Sequence, residues 1–346
     1  MSKWILVAAS MLLSLVVNAG PARADSGGTL QGKVINGSSG GGSAGGIEVA
    51  LHVLQGEQAA RTLSATTDAE GAFRFEGLDT GSDWSYLLRT AYQGVTYSAG
   101  PLQYEEGKSL LDTELRVYEP TTDDQFISVG KAHLFLQPSG SRLGVTELYI
   151  LVNPGDRTYT GREEAGGRRW TSRFLLPAKS QDLEFFDGSL GGRFVSVDGG
   201  FVDTEPLWPG QTSVMFQYTV DCPQGECTLS RKLTYRLPSL NVLVPDTGVT
   251  IESDRLVREG NVEAQGASYL NYVGGELAAG ETVQLRLRGS GAVAGKAGGT
   301  PSNGQSLPWI LLGGVIGLVV VGYPFWRQRI RAADGAGPGA NDSRRE

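Results

Sequence analysis

The chain has 346 residues, with 30 Lys and Arg against 37 Asp and Glu, 50 glycines, two cysteines and two histidines. Between its two special ends lie about 280 residues with a net charge of about −11, too many for one small sandwich and comfortable for two domains. That acidity repels polyanions and excludes a nucleic-acid role, and a Ser/His/Asp triad would have to use His52 or His133.

Lys3 precedes an apolar run from Trp4 to Val17, which Asn18-Ala19-Gly20-Pro21 breaks before Ala22-Arg23-Ala24. This is the layout of a secretory signal peptide over 1–24, with an A-x-A cleavage site. A first strand around Gly32–Ile35 leads into the Gly/Ser-rich run Asn36–Gly46, read as a mobile loop. In Ile47–Leu54 the odd positions are aliphatic while Glu48 and His52 are polar, the signature of a half-buried strand. A turn at Asp68–Gly71 then feeds a second alternating strand carrying Phe73 and Phe75.

Gly32-Lys33-Val34, Gly46–Leu51 and Thr66–Leu78 together resemble the carboxypeptidase regulatory-like domain, a prealbumin-type β-sandwich similar to starch-binding-like and collagen-adhesin repeats. The resemblance spans about residues 28–118 and implies an accessory, adhesive or carbohydrate-binding module rather than catalysis. Some adhesin repeats carry a Lys–Asn crosslink. Lys33 sits on the first strand, but the last strand, Thr113–Tyr118, offers no Asn, so no such bond is expected. Trp84, placed in a loop, with Tyr86 and Tyr92 after it, is the candidate carbohydrate platform, since exposed aromatic faces stack on sugar rings. The same rings, with Tyr97 and Tyr104, also suit the ends of a small sandwich core.

Glu119–Asp124 is an acidic, Pro-containing joint, and strands recur beyond it too closely for crossover helices, giving a second antiparallel sandwich over 119–288. Cys222 and Cys227 fall between two strand patterns, across a four-residue hairpin loop, and read as a structural disulfide in an exported protein. His133 alternates with an apolar face and reads as a packed strand histidine. Glu147, on a following strand, is the carboxylate that could approach it. Paired acids such as Glu105-Glu106 and Asp123-Asp124 read as solvated turns, because adjacent strand residues point to opposite faces. No catalytic residue, metal or cofactor is expected. A basic, aromatic loop region holding Arg157, Tyr159 and Trp170 is the second candidate binding site.

Residues 289–307 read as a flexible linker, and Pro308–Trp326, nineteen residues without a charge, would reach about 28 Å as a helix, enough to span a membrane. Arg327, Arg329 and Arg331 place the tail, 327–346, in the cytoplasm and the domains outside it, in the periplasm or at the cell surface. Gly313 and Gly317 would permit a weak helix-mediated dimer. The exterior is also similar to bacterial membrane-anchored proteins with a regulatory-like domain, a second β-domain and a terminal helix, on the phrases Val117–Asp123 and Tyr149–Tyr159.

The expected fold is therefore all-β: two tandem antiparallel β-sandwich domains, the first prealbumin- or Ig-like, plus one transmembrane helix. The expected function is non-catalytic binding or scaffolding in the cell envelope, with a protein or polysaccharide partner. Carbohydrate binding by the first domain is the alternative, and a carboxylate hydrolase in the second the third. Intact-mass analysis of the purified chain is expected to find Asp25 as the first residue; a retained Met1 would replace the cleaved leader with an anchor.

Overall fold

A computed structural model describes residues 27–163, 169–223, 226–264 and 266–289. The leader, nearly all of the linker, Pro308–Trp326 and the tail lie outside them, and among the described residues no helix is long and apolar enough to cross a membrane. The chain divides into two compact units between Val117 and Tyr118.

The first unit holds β1 (Gly28–Asn36), β2 (Glu48–Gln55), β3 (Gln58–Thr66), β4 (Ala72–Leu78), β5 (Trp84–Tyr92), β6 (Val95–Leu102) and β7 (Leu110–Val117). They form two sheets, β4-β1-β7 and β3-β2-β5-β6. Strand alternation turns Leu30, Val34, Phe73, Phe75 and Leu115 of one sheet and Val49, Leu51, Val53 and Leu88 of the other into a buried apolar interior. Across the polar face of the smaller sheet, Glu76 accepts from Arg74, Arg74 donates to Gln31, and Gln31 donates to Asp112, over 2.6, 2.6 and 2.7 Å. The turn before β4 is held by the Asp68 carboxylate, which accepts the Glu70 and Ala72 N–H groups at 3.0 and 2.7 Å, with Gly71 at φ +85°.

The second unit holds β8 (Pro120–Thr121), β9 (Ser128–Ser139), β10 (Arg142–Asn153), β11 (Thr158–Tyr159), β12 (Arg162–Glu163), β13 (Arg169–Trp170), β14 (Ser172–Leu175), β15 (Gln181–Phe185) and β16 (Phe194–Val197). These are followed by β17 (Gly200–Asp203), β18 (Gly210–Asp221), β19 (Cys227–Lys232), β20 (Leu240–Pro245), β21 (Thr250–Glu252), β22 (Val257–Ala264), β23 (Ala267–Gly274) and β24 (Thr282–Arg288). One seven-stranded sheet, β15-β18-β10-β9-β20-β23-β22, is layered against two three-stranded sheets, β14-β17-β16 and β19-β24-β21. A single buried cluster draws Leu134, Val145 and Phe216 from the large sheet, Phe174 and Phe201 from the first small sheet, and Leu229 and Leu285 from the second. Phe201 and Phe216 meet edge to face at 4.8 Å.

Neither unit is purely antiparallel as expected. β7 runs parallel to β1, and β20 parallel to β9. The second pairing arises because the chain leaves the large sheet after β18, runs through the opposite layer as β19, and re-enters it as β20. The disulfide sits at that exit. Cys222 and Cys227 are bonded and buried, but β18 and β19 do not pair, so the bridge braces a corner between layers rather than closing a hairpin.

Glu147 of β10 and Arg231 of β19, 0% and 2% exposed, form an ion pair of 2.7 Å across the layers. Tyr218 and Tyr149 donate their hydroxyls to the two Glu147 oxygens at 2.6 and 2.8 Å, and Arg231 also donates to the Lys232 carbonyl at 3.0 Å. With its lone pairs and N–H groups satisfied, the pair offsets its desolvation cost; with one member removed, the other is left charged and dry. Arg231→Met is therefore expected to destabilise the second unit by about 3–5 kcal/mol in urea unfolding, and Glu147→Leu combined with it by clearly less. Additive losses in the double variant would show that the two side chains are not coupled.

Candidate functional site

The two candidate regions fare differently. In the first unit Trp84 opens β5 rather than lying in a loop, and it is half-buried. Tyr86 and Tyr92 follow on the core-facing side of the same strand, 0% and 9% exposed, and Tyr97 of β6 and Tyr104 beyond it are buried too, at 0% and 7%. Tyr86 meets Tyr104 edge to face at 5.7 Å and donates its hydroxyl to the Asp79 carbonyl, and Tyr92 accepts from the Asn36 side chain at 3.1 Å. Burial, with Asp79 adding to it, pushes the Tyr86 phenol up to about 12. Tyr86 and Tyr92 thus belong to the core, while Trp84 is half-buried at the start of the strand. The pleat puts Tyr86 and Tyr92 on the inward face, and these two buried rings cannot stack on a sugar.

In the second unit Tyr159 and Trp170 come together, while Arg157 stays exposed in the loop before β11. β11 pairs in parallel with β8, and Tyr159 bridges Leu207 through N–H···O bonds of 3.0 and 2.9 Å in both directions. β12 and β13 form a small hairpin in which Arg162 lies opposite Trp170. Its base requires a glycine: Gly161 has φ +84°, and a Cβ there would lie 2.3 Å from the Trp170 carbonyl oxygen. The result is a cavity of about 180 Å³ whose lining includes Tyr159, Arg162, Trp170, Arg173 and Tyr235, with Asp124 and Ile127 from the segment before β9.

The hydrogen bonding of this cavity is incomplete. Arg162 is committed to Asp124 at 2.6 Å, and the Arg173 side chain donates one Nη–H to the Asp198 carbonyl at 3.0 Å. The backbone N–H of Arg173 donates to the Tyr235 hydroxyl at 2.6 Å. The Nε1–H of Trp170 and the Nε–H of Arg173 are buried and have no acceptor among the described residues. Burial raises the Tyr235 phenol to about 12 and raises Tyr159 as well, Asp124 adding to the latter and Arg162 opposing it, so both are hydroxyl donors at neutral pH. The local phrase around Arg157 pointed to the neighbourhood, but Arg173, Tyr235 and Ile127 come from other strands or from outside the phrase. No local pattern marks them.

The described lining contributes guanidinium, phenol and indole groups, two threonine hydroxyls and one carboxylate, that of Asp124. Among the described residues no group of three or more His, Cys, Asp or Glu side chains is placed to hold a metal ion. Of the paired acids, Asp123 accepts the Gln125 N–H at 3.0 Å and Asp124 holds Arg162.

No family model and no curated protein matches the chain. Among solved structures, the full-length major pilin SpaD from Corynebacterium diphtheriae aligns over 75% of this chain and 82% of its own, with 12% identity and a TM-score of 0.22.

His133 does not meet Glu147. In the β9–β10 register Glu147 lies opposite Leu134 and faces the core, whereas His133 lies opposite Leu148 on the other face. There it sits beside Phe135, 6.4 Å between ring centres, in the sheet face where Phe135, Leu148, Leu243 and Ala264 form a small second cluster. It is 6% exposed and neither ring nitrogen has a partner, so burial, with Lys131 adding to it, lowers its pKa to about 4. Above pH about 6.5 neither the folded nor the unfolded chain carries this proton. Below it the unfolded chain binds the proton first, and stability falls by about 1.4 kcal/mol per pH unit until the folded histidine titrates. Urea midpoints of the second unit are expected to drop between pH 6.5 and 4, and the drop to be smaller in His133→Leu; identical pH profiles would remove this histidine from the account.

Proposed function

We propose that this chain is a non-catalytic binding or scaffolding protein of the cell envelope, exported by its leader, held by the helix over Pro308–Trp326, and displaying two β-sandwich units to an envelope protein or polysaccharide. The observation that carries the reading is the cavity of the second unit, where aromatic rings and guanidinium groups converge. The buried Cys222–Cys227 bridge supports an oxidising, extracytoplasmic setting, since such bonds persist where thiols are not kept reduced. Tyr86 and Tyr92 of the first unit do not support a sugar platform there, because their rings are in its core.

The test is affinity capture with the full-length chain in mild detergent against host envelope proteins, run beside an array of envelope glycans. A specific partner is expected, retained by Arg157→Ala at the exposed loop and lost with Trp170→Ala. Silence of the unaltered chain in both arms, or capture indifferent to Trp170, would sink the reading.

A further inference from the structure

We infer that the outer face of the large sheet in the second unit carries a second binding site, for a neutral saccharide; this rests on the binding reading above and narrows it, at this site, to an envelope polysaccharide. Gly144 is a glycine that the backbone does not require. A glycine inside a strand weakens it, and marks a bulge, a bend, or the close approach of another backbone or of a ligand. Gly144 lies within β10, opposite Gln137 of β9 and Thr219 of β18, and neither ladder shifts register there. Its φ is outside the left-handed region, and a Cβ built on it would meet nothing nearer than the Gln137 carbonyl oxygen at 3.6 Å, an ordinary contact. Neither a bulge nor a neighbouring backbone accounts for it, which leaves a ligand.

Around the missing side chain lies a cavity of about 250 Å³. Val145 and Tyr218 of its lining belong to the core, so the pleat turns Gly144, Thr146, Gln217 and Thr219 outward. One wall is built by the edge strand β15, which bulges between Gln181 and Glu184. Within the bulge Asp182 has φ +52°, and its carboxylate accepts from the Thr219 hydroxyl at 2.8 Å and from the Arg142 guanidinium at 3.2 Å. Glu184 accepts from the Gln217 amide at 2.5 Å. Bulges that re-aim a side chain, and non-glycine residues held at positive φ, concentrate at binding sites. Gln137, Ser139, Arg142, Asp182 and Glu184 line the cavity and are exposed, so a ligand can reach them.

The chemistry of these groups selects the ligand. Arg142 only donates, the two carboxylates only accept, and Ser139 and the Gln137 amide do both. A hydroxyl also does both, and a sugar ring presents several at fixed spacing. A carboxylate or phosphate would be set against Asp182 and Glu184, and an ammonium against Arg142. A protein hot spot would show aromatic or aliphatic side chains, whereas the outward-facing and exposed residues named here are polar. The volume, roughly eight times the liquid share of one water molecule, suits a single sugar ring.

The test is read at Thr146. In the full-length chain in detergent, with ¹³C-labelled threonine methyls, its resonance is identified by its loss in Thr146→Ser. Glucose, galactose, mannose and N-acetylglucosamine are titrated in turn, beside N-acetyl-lysinamide as a cationic probe and N-acetylglutamate as an anionic one. At least one sugar is expected to move the resonance to saturation, and neither charged probe to do so. Gly144→Val, whose Cβ has room and whose side chain would occupy the cavity, is expected to fold with a urea midpoint no lower than that of the unaltered chain and to weaken the sugar response by about tenfold or more. No movement with any of the sugars, equal movement with a charged probe, or an unchanged response in folded Gly144→Val would overturn the assignment; sugars and charged probes are compared on the unaltered protein, so a misfolded variant cannot mimic that result. If a partner is captured through Trp170 and no sugar moves Thr146, the binding reading stands and the saccharide site falls. If a sugar binds and nothing is captured, the saccharide site stands and the cavity at Trp170 no longer carries the binding reading.

Discussion

The second unit depends on one buried ion pair. Glu147 sits in the middle of β10, an interior strand of the large sheet, and its partner Arg231 comes from β19 in the opposite layer. Because a charge cannot be left dry without a partner, the two layers can close in the register that brings these groups together, with Tyr149 and Tyr218 completing the shell. An apolar pair of equal volume would fill the space but would specify the register less narrowly. The same contact fixes which face of β10 is the inner one, and so consigns Leu148 and its neighbour His133 to the outer face.

What the sequence made legible follows from the period of two. Ile47–Leu54, Phe73–Phe75, Val214–Val220 and Val283–Leu287 alternate cleanly; all but Ile47, which immediately precedes β2, lie in β2, β4, β18 and β24. β22 was not legible: Val257–Ala264 is an edge strand carrying Gly260, two glutamates and an arginine, exposed along most of its length, so no buried face imposes alternation on it. β17 is four residues, too short to show a period. Trp84 was placed in a loop because Gly81-Ser82-Asp83 precedes it, yet the turn ends one residue earlier and Trp84 starts the strand. Parallel pairing is invisible in any single strand, since it is set by where the chain goes between strands.

The candidate site shows the same division. Tyr159 and Trp170 could be singled out because a basic, aromatic loop phrase stands out from its surroundings. Arg173 and Tyr235 could not, because their relation to Trp170 is made by the packing of a strand against a connection 62 residues away in sequence, as in the contact between the Arg173 N–H and the Tyr235 hydroxyl. His133 looked like a packed strand histidine, and so it is. The carboxylate that could have made it more belongs to the opposite face, a distinction of one residue in register.

The position of β24 has a mechanical consequence. It is the last strand described, it ends at Arg288, and it is the middle strand of its sheet, paired on one side to β19 and on the other to β21. A pull applied from beyond Arg288 and resisted elsewhere in the second unit would load those two ladders along their length, in shear, so that many hydrogen bonds must give way together rather than one after another. β19 in turn is tied at its first residue to the end of β18 through Cys222–Cys227, so load reaching β19 passes covalently into the large sheet within a few residues. A unit built in this way transmits tension from its C-terminal end to its broadest sheet with little slack between them.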